Sequence, residues 1–346
     1  MSLESYIRAM PKVELHVHLE GSIQPATLLA LARRNGVPLP ASTVDGLRAW
    51  YRFTSFDHFI EVYILISRCI RTAEDIELIT REFLAGQAAQ HVAYSEVTYT
   101  AFTHYKSKGI PFEEQLAAIN RARAWATAEL GVGMNLVIDI SRSSHMTRDE
   151  VLLQADWVIN NVGNGVVALG LGGPEVGYPP ETFAEAFARA REAGVPGVPH
   201  AGETVGPASI WGAVRALHAV RIGHGVRCLE DPALVEELRF RQIPLEICPS
   251  SNVCLGVVPS LEQHPLPRLI AAGLYVTVNS DDPPMFNTSL NAEYLTLQRV
   301  FGFTRAQIEA LDVNAVRATL LPATERAVME AEFKAAYARL GAEHGL

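Results

Sequence analysis

Val13-Glu14-Leu15-His16-Val17-His18-Leu19-Glu20-Gly21 alternates apolar and polar side chains. This is the pattern of a half-buried β-strand, in which residues two apart share a face. His16 and His18 therefore point the same way, and two convergent neutral imidazoles are a beginning for a divalent-metal site. Taken alone, the pair reads more readily as two buried histidines hydrogen-bonded to neighbours, or simply as surface residues. What separates these readings is how often such strands recur and how they end.

Short apolar, β-branched segments recur at residues 13–19, 92–99, 135–140, 166–171, 197–200, 221–224, 245–248 and 275–279. Between most of them lie helix-length stretches with apolar residues three and four apart. Residues 181–193 place Phe183, Phe187 and Ala190 on one stripe, and residues 231–241 do the same with Leu234 and Leu238. Alternating strands and helices imply a parallel sheet, and eight such units imply an α/β chain closed as a (β/α)8 TIM barrel. A doubly wound open sheet is the alternative. It lacks its usual marks here, since no Gly-x-Gly-x-x-Gly follows the first strand and no Gly-x-x-x-x-Gly-Lys-Ser/Thr occurs.

With 346 residues, 49% of them hydrophobic, the chain suits one barrel domain spanning 1–346. The widest gap follows the first strand. Its stretch 50–67 carries Phe53, Phe56, Phe59, Ile60, Tyr63 and Leu65, so residues 40–90 are expected to form a helical lid insertion over the catalytic face. Beyond Asp282 the pattern is helical, giving a last barrel helix and an extra cap.

A net charge of −9 without any Lys/Arg-rich block excludes a polyanionic partner such as nucleic acid. No run of 18 apolar residues exists, so no membrane span is expected. Residues 1–12 show neither a long apolar stretch nor a small-residue cleavage site, and the four cysteines (Cys69, Cys228, Cys248, Cys254) form no Cys-x-x-Cys pair. A cytoplasmic protein without a disulfide framework or thiolate metal site is the expectation.

In a barrel the C-terminal strand ends form the active face. Those ends read His16 and His18 at strand one, His200-Ala201-Gly202-Glu203 at strand five, Gly223-His224-Gly225 at strand six, and Asn279-Ser280-Asp281-Asp282-Pro283 at strand eight. The motifs His-x-His-Leu-Glu-Gly, His-Ala-Gly-Glu, Ile-Gly-His-Gly and Ser-Asp-Asp-Pro, in this order, resemble the adenosine deaminase family of the amidohydrolase superfamily. The similarity extends over nearly the whole chain and includes Cys248-Pro249-Ser250-Ser251-Asn252 and Gly173-Pro174-Glu175.

The resemblance implies one catalytic zinc per chain, with His16, His18, His200 and Asp281 as ligands and a position left open for water. Zinc of this kind lowers the water's pKa to roughly 7, supplying hydroxide that adds to C6 of a 6-aminopurine and releases ammonia. Glu203 resembles the family's proton donor to N1, and His224 the histidine that orients the attacking hydroxide. Asp281 would bind the metal and take the water's proton, Asp282 would contact N7, and the backbone N–H of Gly173 would meet N3.

Two departures bear on the substrate. Many adenosine deaminases carry Asp near the ribose 5′-hydroxyl where this chain has Glu20, and a run usually read Gly-Asp-Glu is here Gly173-Pro174-Glu175. Related adenine deaminases share the Leu-Glu-Gly form but tend to have Ser in place of Gly173. The expected substrate is therefore a 6-aminopurine nucleoside, adenosine or a 5′-modified adenosine, with Glu20 as a contact at the 5′ end. The alternatives are 6-aminodeoxyfutalosine from one menaquinone route, 5′-methylthioadenosine, and adenine. A two-metal amidohydrolase would carry a lysine at the end of strand four, where Val166-Val167-Ala168-Leu169-Gly170-Leu171 has none. A non-catalytic purine-binding barrel would usually have lost ligands or the acid, and all are present here.

Overall fold

The expected strands form β1 Lys12–His18, β2 Val92–Tyr99, β3 Gly133–Ser141, β4 Val166–Gly172, β5 Gly197–Ala201, β6 Ile222–His224, β7 Leu245–Ile247 and β8 Val276–Val278. The structure, a computed structural model, describes residues 2–53 and 55–346. The eight strands pair in parallel in the order of their sequence. The chain is an α/β TIM barrel.

β1 departs from the expected half-buried strand, because every residue in it is buried. Val13, Leu15 and Val17 join the apolar clusters between strands and helices, while Glu14, His16 and His18 alternate with them. In a parallel barrel both strand faces are covered, so polar alternation marks the barrel interior rather than solvent.

The seam between β8 and β1 is closed by the residues that follow β8. His18 donates its N–H to the Asp281 carbonyl (2.9 Å), and Asp281 N–H returns to the His16 carbonyl (3.1 Å). One step lower, the Asn279 side-chain oxygen accepts the N–H groups of Leu15 (2.9 Å) and His16 (3.2 Å). The backbone bonds that close the barrel thus fix three chemically prominent residues relative to one another.

The helical stripes hold as well. Phe183, Phe187 and Ala190 are buried at the start and along helix Ala184–Glu192. Asp231 caps helix Pro232–Arg241 by accepting the N–H groups of Ala233 and Leu234, and Leu234 and Leu238 are buried. Within residues 20–91 lie helices Pro25–Asn35, Val44–Trp50, Phe56–Arg68 and Ala73–Ala89. Ala73–Ala89 packs against β2 and helix Phe112–Leu130 as an ordinary member of the outer ring. Phe56–Arg68 lies at the barrel mouth.

After the barrel come helices Leu290–Arg299, Arg305–Ala318 and Ala323–His344. Asp312, buried in the second of these, accepts Val13 N–H (3.1 Å) and the hydroxyls of Tyr294 and Tyr337, tying the C-terminal helices to the start of β1. Among the described residues, no helix is long and apolar enough to cross a membrane.

Candidate active site

His16, His18, His200 and Asp281 converge at the C-terminal barrel mouth. The Nε2 atoms of His18 and His200 stand 3.1 Å apart, and Asp281 Oδ1 lies 3.3 Å from His18 Nε2 and 3.5 Å from His16 Nε2. Donors about 2.0–2.1 Å from a five-coordinate ion, four of them from the protein and one position left for water, stand roughly 2.9–3.5 Å apart. The buried Nε2 of His16 has no hydrogen-bond partner among the described residues. Burial opposes charge here, yet Asp281 and Glu246 raise His16 to about 10, and Asp282 and Asp281 raise His18 to about 9. The spot draws in positive charge, and a divalent cation would replace those protons. His16, His200 and Asp281 fall in one close group and His18 in another with Asp281 and Asp282, joined to the first through Asp281 and His200, so the donor set fits one such ion centred beside Asp281.

His224 also falls within a group with His16, His200 and Asp281 whose ligand atoms lie within 4.8 Å of one another. Its Nε2 stands farther out, 3.9 Å from Asp281 Oδ2 and 3.7 Å from Glu203 Oε1, a spacing that leaves room for an oxygen between them. Burial and His16 push His224 down to about 3, so it is a neutral imidazole. His224 and Asp281 both adopt left-handed backbone, at φ 61° and 65°. This turn lets the adjacent Asp281 and Asp282 both face the cavity, although on a regular strand they would diverge.

A buried network orients His16. Glu246 Oε2 accepts from His16 Nδ1 at 2.8 Å, which leaves the Nε2 lone pair for a metal. Arg221 in turn bridges Glu246 and Glu96, each at 2.6 Å. Sequence reasoning passed over all three. A signal was there, since an acid inside an apolar strand (Tyr94-Ser95-Glu96-Val97, Leu245-Glu246-Ile247) must face a polar interior.

Glu203 is held by its own backbone. Glu175 accepts the N–H groups of Gly202 (3.1 Å), Glu203 (2.9 Å) and Val205 (3.2 Å), which gives the Gly-Pro-Glu motif its role. Burial, with Asp281 and Glu175 nearby, pushes the Glu203 carboxyl well above the usual range and favours its protonated form. Burial and Asp281 push Asp282 up likewise. Asp281 itself stays low, because hydrogen bonds from His16 and His18 outweigh its burial.

Gly21 explains the end of the first motif. A Cβ there would sit 1.6 Å from Asp282 Oδ1 and 2.5 Å from its Cγ. Gly21→Ala should therefore displace Asp282 and cost about 1–3 kcal/mol of stability through overpacking. Thermal unfolding of the variant beside the parent checks this. Gly173, at φ 79°, lines the cavity with its backbone packed against Ser141 and Arg142.

The cavity above these groups measures about 510 Å³. His18, Gly173, His200, Glu203, His224, Asp281 and Asp282 all line it. Among the described residues, His16 and Glu20 are not in its wall. Glu20 is engaged elsewhere, accepting Thr100 N–H (3.2 Å), His104 Nε2 (3.1 Å) and the Tyr63 hydroxyl (3.3 Å). It ties helix Phe56–Arg68 to the barrel rim, behind Tyr63 and Thr100. Asp139, which sequence reasoning missed, does reach the wall. Its buried Oδ1 has no partner among the described residues, and burial raises its pKa to about 6.

The family model for adenosine deaminase matches residues 11–335. The chain belongs to the adenosine deaminase family. It is 40% identical over 330 residues to the aminodeoxyfutalosine deaminase of Streptomyces avermitilis, covering 95% of this chain and 92% of that one. Among solved structures, an adenine deaminase from Arthrobacter aurescens superposes with a TM-score of 0.89 at 35% identity, covering 94% of this chain and 98% of that one. An amidohydrolase with bound zinc from Burkholderia ambifaria gives a TM-score of 0.90 at 26% identity, covering 98% and 94%. The protein is a hydrolase of C–N bonds acting on aminopurine-type substrates.

Proposed function

We propose that this protein is a zinc-dependent deaminase of 6-aminopurine nucleosides that carry an extended group at the 5′ position, 6-aminodeoxyfutalosine being the type. The observation that carries the reading is the cavity. Its volume of about 510 Å³ exceeds what a bare purine fills. A ladder of rings also leads away from the histidines, with ring centroids 6.2 Å apart for His18–Tyr63, 6.0 Å for Tyr63–Phe59 and 5.8 Å for Phe59–Phe56. With Ile60, Ile64, Phe102 and Met146 these side chains line an apolar compartment suited to an apolar or aromatic 5′ substituent. Glu20, spent on Tyr63, His104 and Thr100, leaves the compartment free of the carboxylate expected beside a 5′-hydroxyl. In this reading helix Phe56–Arg68 is the lid, and residues 1–346 act as one domain around it.

His16, His18, His200 and Asp281 would hold the zinc, which lowers the pKa of a water to about 7 and so supplies the nucleophile at neutral pH. Glu203, held in its protonated form, gives its proton to N1 as C6 becomes tetrahedral. His224 directs its Nε2–H at the oxygen adding to C6, and Asp281 Oδ2 takes the proton that oxygen sheds. That proton passes to the departing amine, and the remaining hydroxyl proton returns to the Glu203 carboxylate as the C6 carbonyl forms, so water and aminopurine yield the 6-oxopurine and ammonia with Glu203 protonated again. Asp282, also favoured in its protonated form, donates to N7, and Gly173 N–H meets N3.

Identity to the aminodeoxyfutalosine deaminase supports the extended substrate. The likeness to an adenine deaminase supports adenine as a second reading, which the surplus cavity disfavours. The test is ammonia release by zinc-loaded enzyme from adenosine, 5′-methylthioadenosine, 6-aminodeoxyfutalosine and adenine. Turnover of the 5′-extended nucleosides is expected, and turnover of adenine or adenosine alone, or of none of the four, overturns the reading.

Asp139 serves here as the acceptor for a sugar hydroxyl. Asp139→Ala is expected to lower kcat/KM for nucleosides about tenfold to a hundredfold, with adenine turnover unchanged. An equal loss on adenine would assign Asp139 to the base or the scaffold instead.

A further inference from the structure

We infer that Asn252 and His264 are positioning residues that lock the tautomer of His224, so that its Nε2 always carries the proton facing the reaction centre. One group at the far end of this chain of contacts has a fixed role. The backbone N–H of Leu266 can only donate, and it donates to His264 Nδ1 at 3.1 Å. Burial pushes His264 down to about 4, so the ring is neutral and holds a single proton. With Nδ1 accepting, that proton sits on Nε2, which lies 3.1 Å from Asn252 Oδ1. Asn252 must therefore present its oxygen to His264 and its amide to His224, whose Nδ1 is 3.4 Å from Asn252 Nδ2. An amide nitrogen has no lone pair to offer, so His224 Nδ1 accepts and Nε2 keeps the proton.

Every side chain in the relay is buried, with exposures of 0% for Asn252, 4% for His264 and 1% for His224. A flipped Asn252 would therefore leave opposed donors and acceptors in the core. The relay also separates His224 from the metal-binding histidines. His16 gives its Nδ1 proton to a carboxylate and offers an Nε2 lone pair. His224, read by an amide, offers an Nε2–H. One barrel mouth thus holds one histidine set to ligate and another set to donate, and the difference is written in the residue behind each ring.

The test uses zinc-loaded enzyme with 15N-labelled imidazoles, with the His224 signals assigned by their loss in a His224→Gln sample. The expected wild-type spectrum shows His224 protonated at Nε2 and bare at Nδ1. Asn252→Asp replaces the donor by an acceptor, and Nδ1 should then gain a proton. His264→Leu frees the amide of Asn252, and kcat should fall about 10- to 100-fold with KM unchanged. His264→Gln, which retains an N–H for Asn252, should recover most of that loss. A wild-type His224 protonated at Nδ1, or His264→Leu with wild-type kcat and spectrum, overturns the inference. The kinetic arm rests on the deaminase reading, whereas the spectroscopic arm decides the tautomer whichever substrate is turned over. If His264→Leu does not fold, Asn252→Asp read by the same spectra still decides it.

Discussion

Glu203→Gln is expected to lower kcat by about 10²–10⁴-fold while the variant folds normally and binds its full complement of metal. The amide keeps the shape of the carboxyl and its place on the loop clasped by Glu175, so geometry is preserved. What disappears is a transferable proton. In the proposed mechanism C6 then cannot become tetrahedral except by placing unshared negative charge on the ring. The pH dependence follows from the same carboxyl. Its folded pKa is raised by burial and by Asp281, so the active, protonated form is lost as pH rises through that raised value. An alkaline limb of kcat/KM governed by Glu203 should therefore vanish from the residual activity of the variant. Stability runs the same way. Ionising a group whose folded pKa exceeds its unfolded one costs stability as pH rises, and Gln removes that cost. The variant's Tm at alkaline pH should equal or exceed the parent's. Steady-state kinetics, metal content and thermal unfolding across pH read all three outcomes.

Asp281→Asn should be as damaging for a different reason. Asn tolerates the left-handed backbone at this position and retains the N–H and carbonyl that close the barrel onto β1. The fold should survive. The lost negative charge is the one that holds His16 and His18 in a cation-drawing cluster, at 3.5 and 3.3 Å from Oδ1. Metal affinity should drop at least about 10²-fold, and turnover at limiting metal should fall with it. Metal content after dialysis, followed by activity against added zinc, measures this. A variant that retains both metal and activity would remove Asp281 from the ligand set.

The barrel was legible in the sequence because periodicity reports local burial. Eight apolar segments at helix-length intervals leave few topologies open, and the strand-end motifs then mark the active face. The misreading of β1 shows the limit of that logic. Alternation separates two faces but does not say whether the polar one meets water or the inside of a barrel. Glu20 shows a second limit. It is adjacent in sequence to the metal-site strand, yet His104, Tyr63 and Thr100 capture it before it reaches the cavity. None of those partners is local, so no motif could announce them. Asp139, Arg221 and Glu246 were missed for the converse reason. Each is an isolated charge in an apolar segment, and only the closed barrel brings Arg221 to Glu246 and Asp139 to the cavity wall.

In the proposed reading the barrel mouth is built for a 6-aminopurine nucleoside extended at its 5′ end. Its most direct test is kcat/KM for ammonia release from 6-aminodeoxyfutalosine and from adenine, measured on one zinc-loaded preparation. The nucleoside is expected to exceed the base by about 10²-fold or more, because the base leaves both the apolar compartment and Asp139 unused. Equal values, or a preference for adenine, would contradict it.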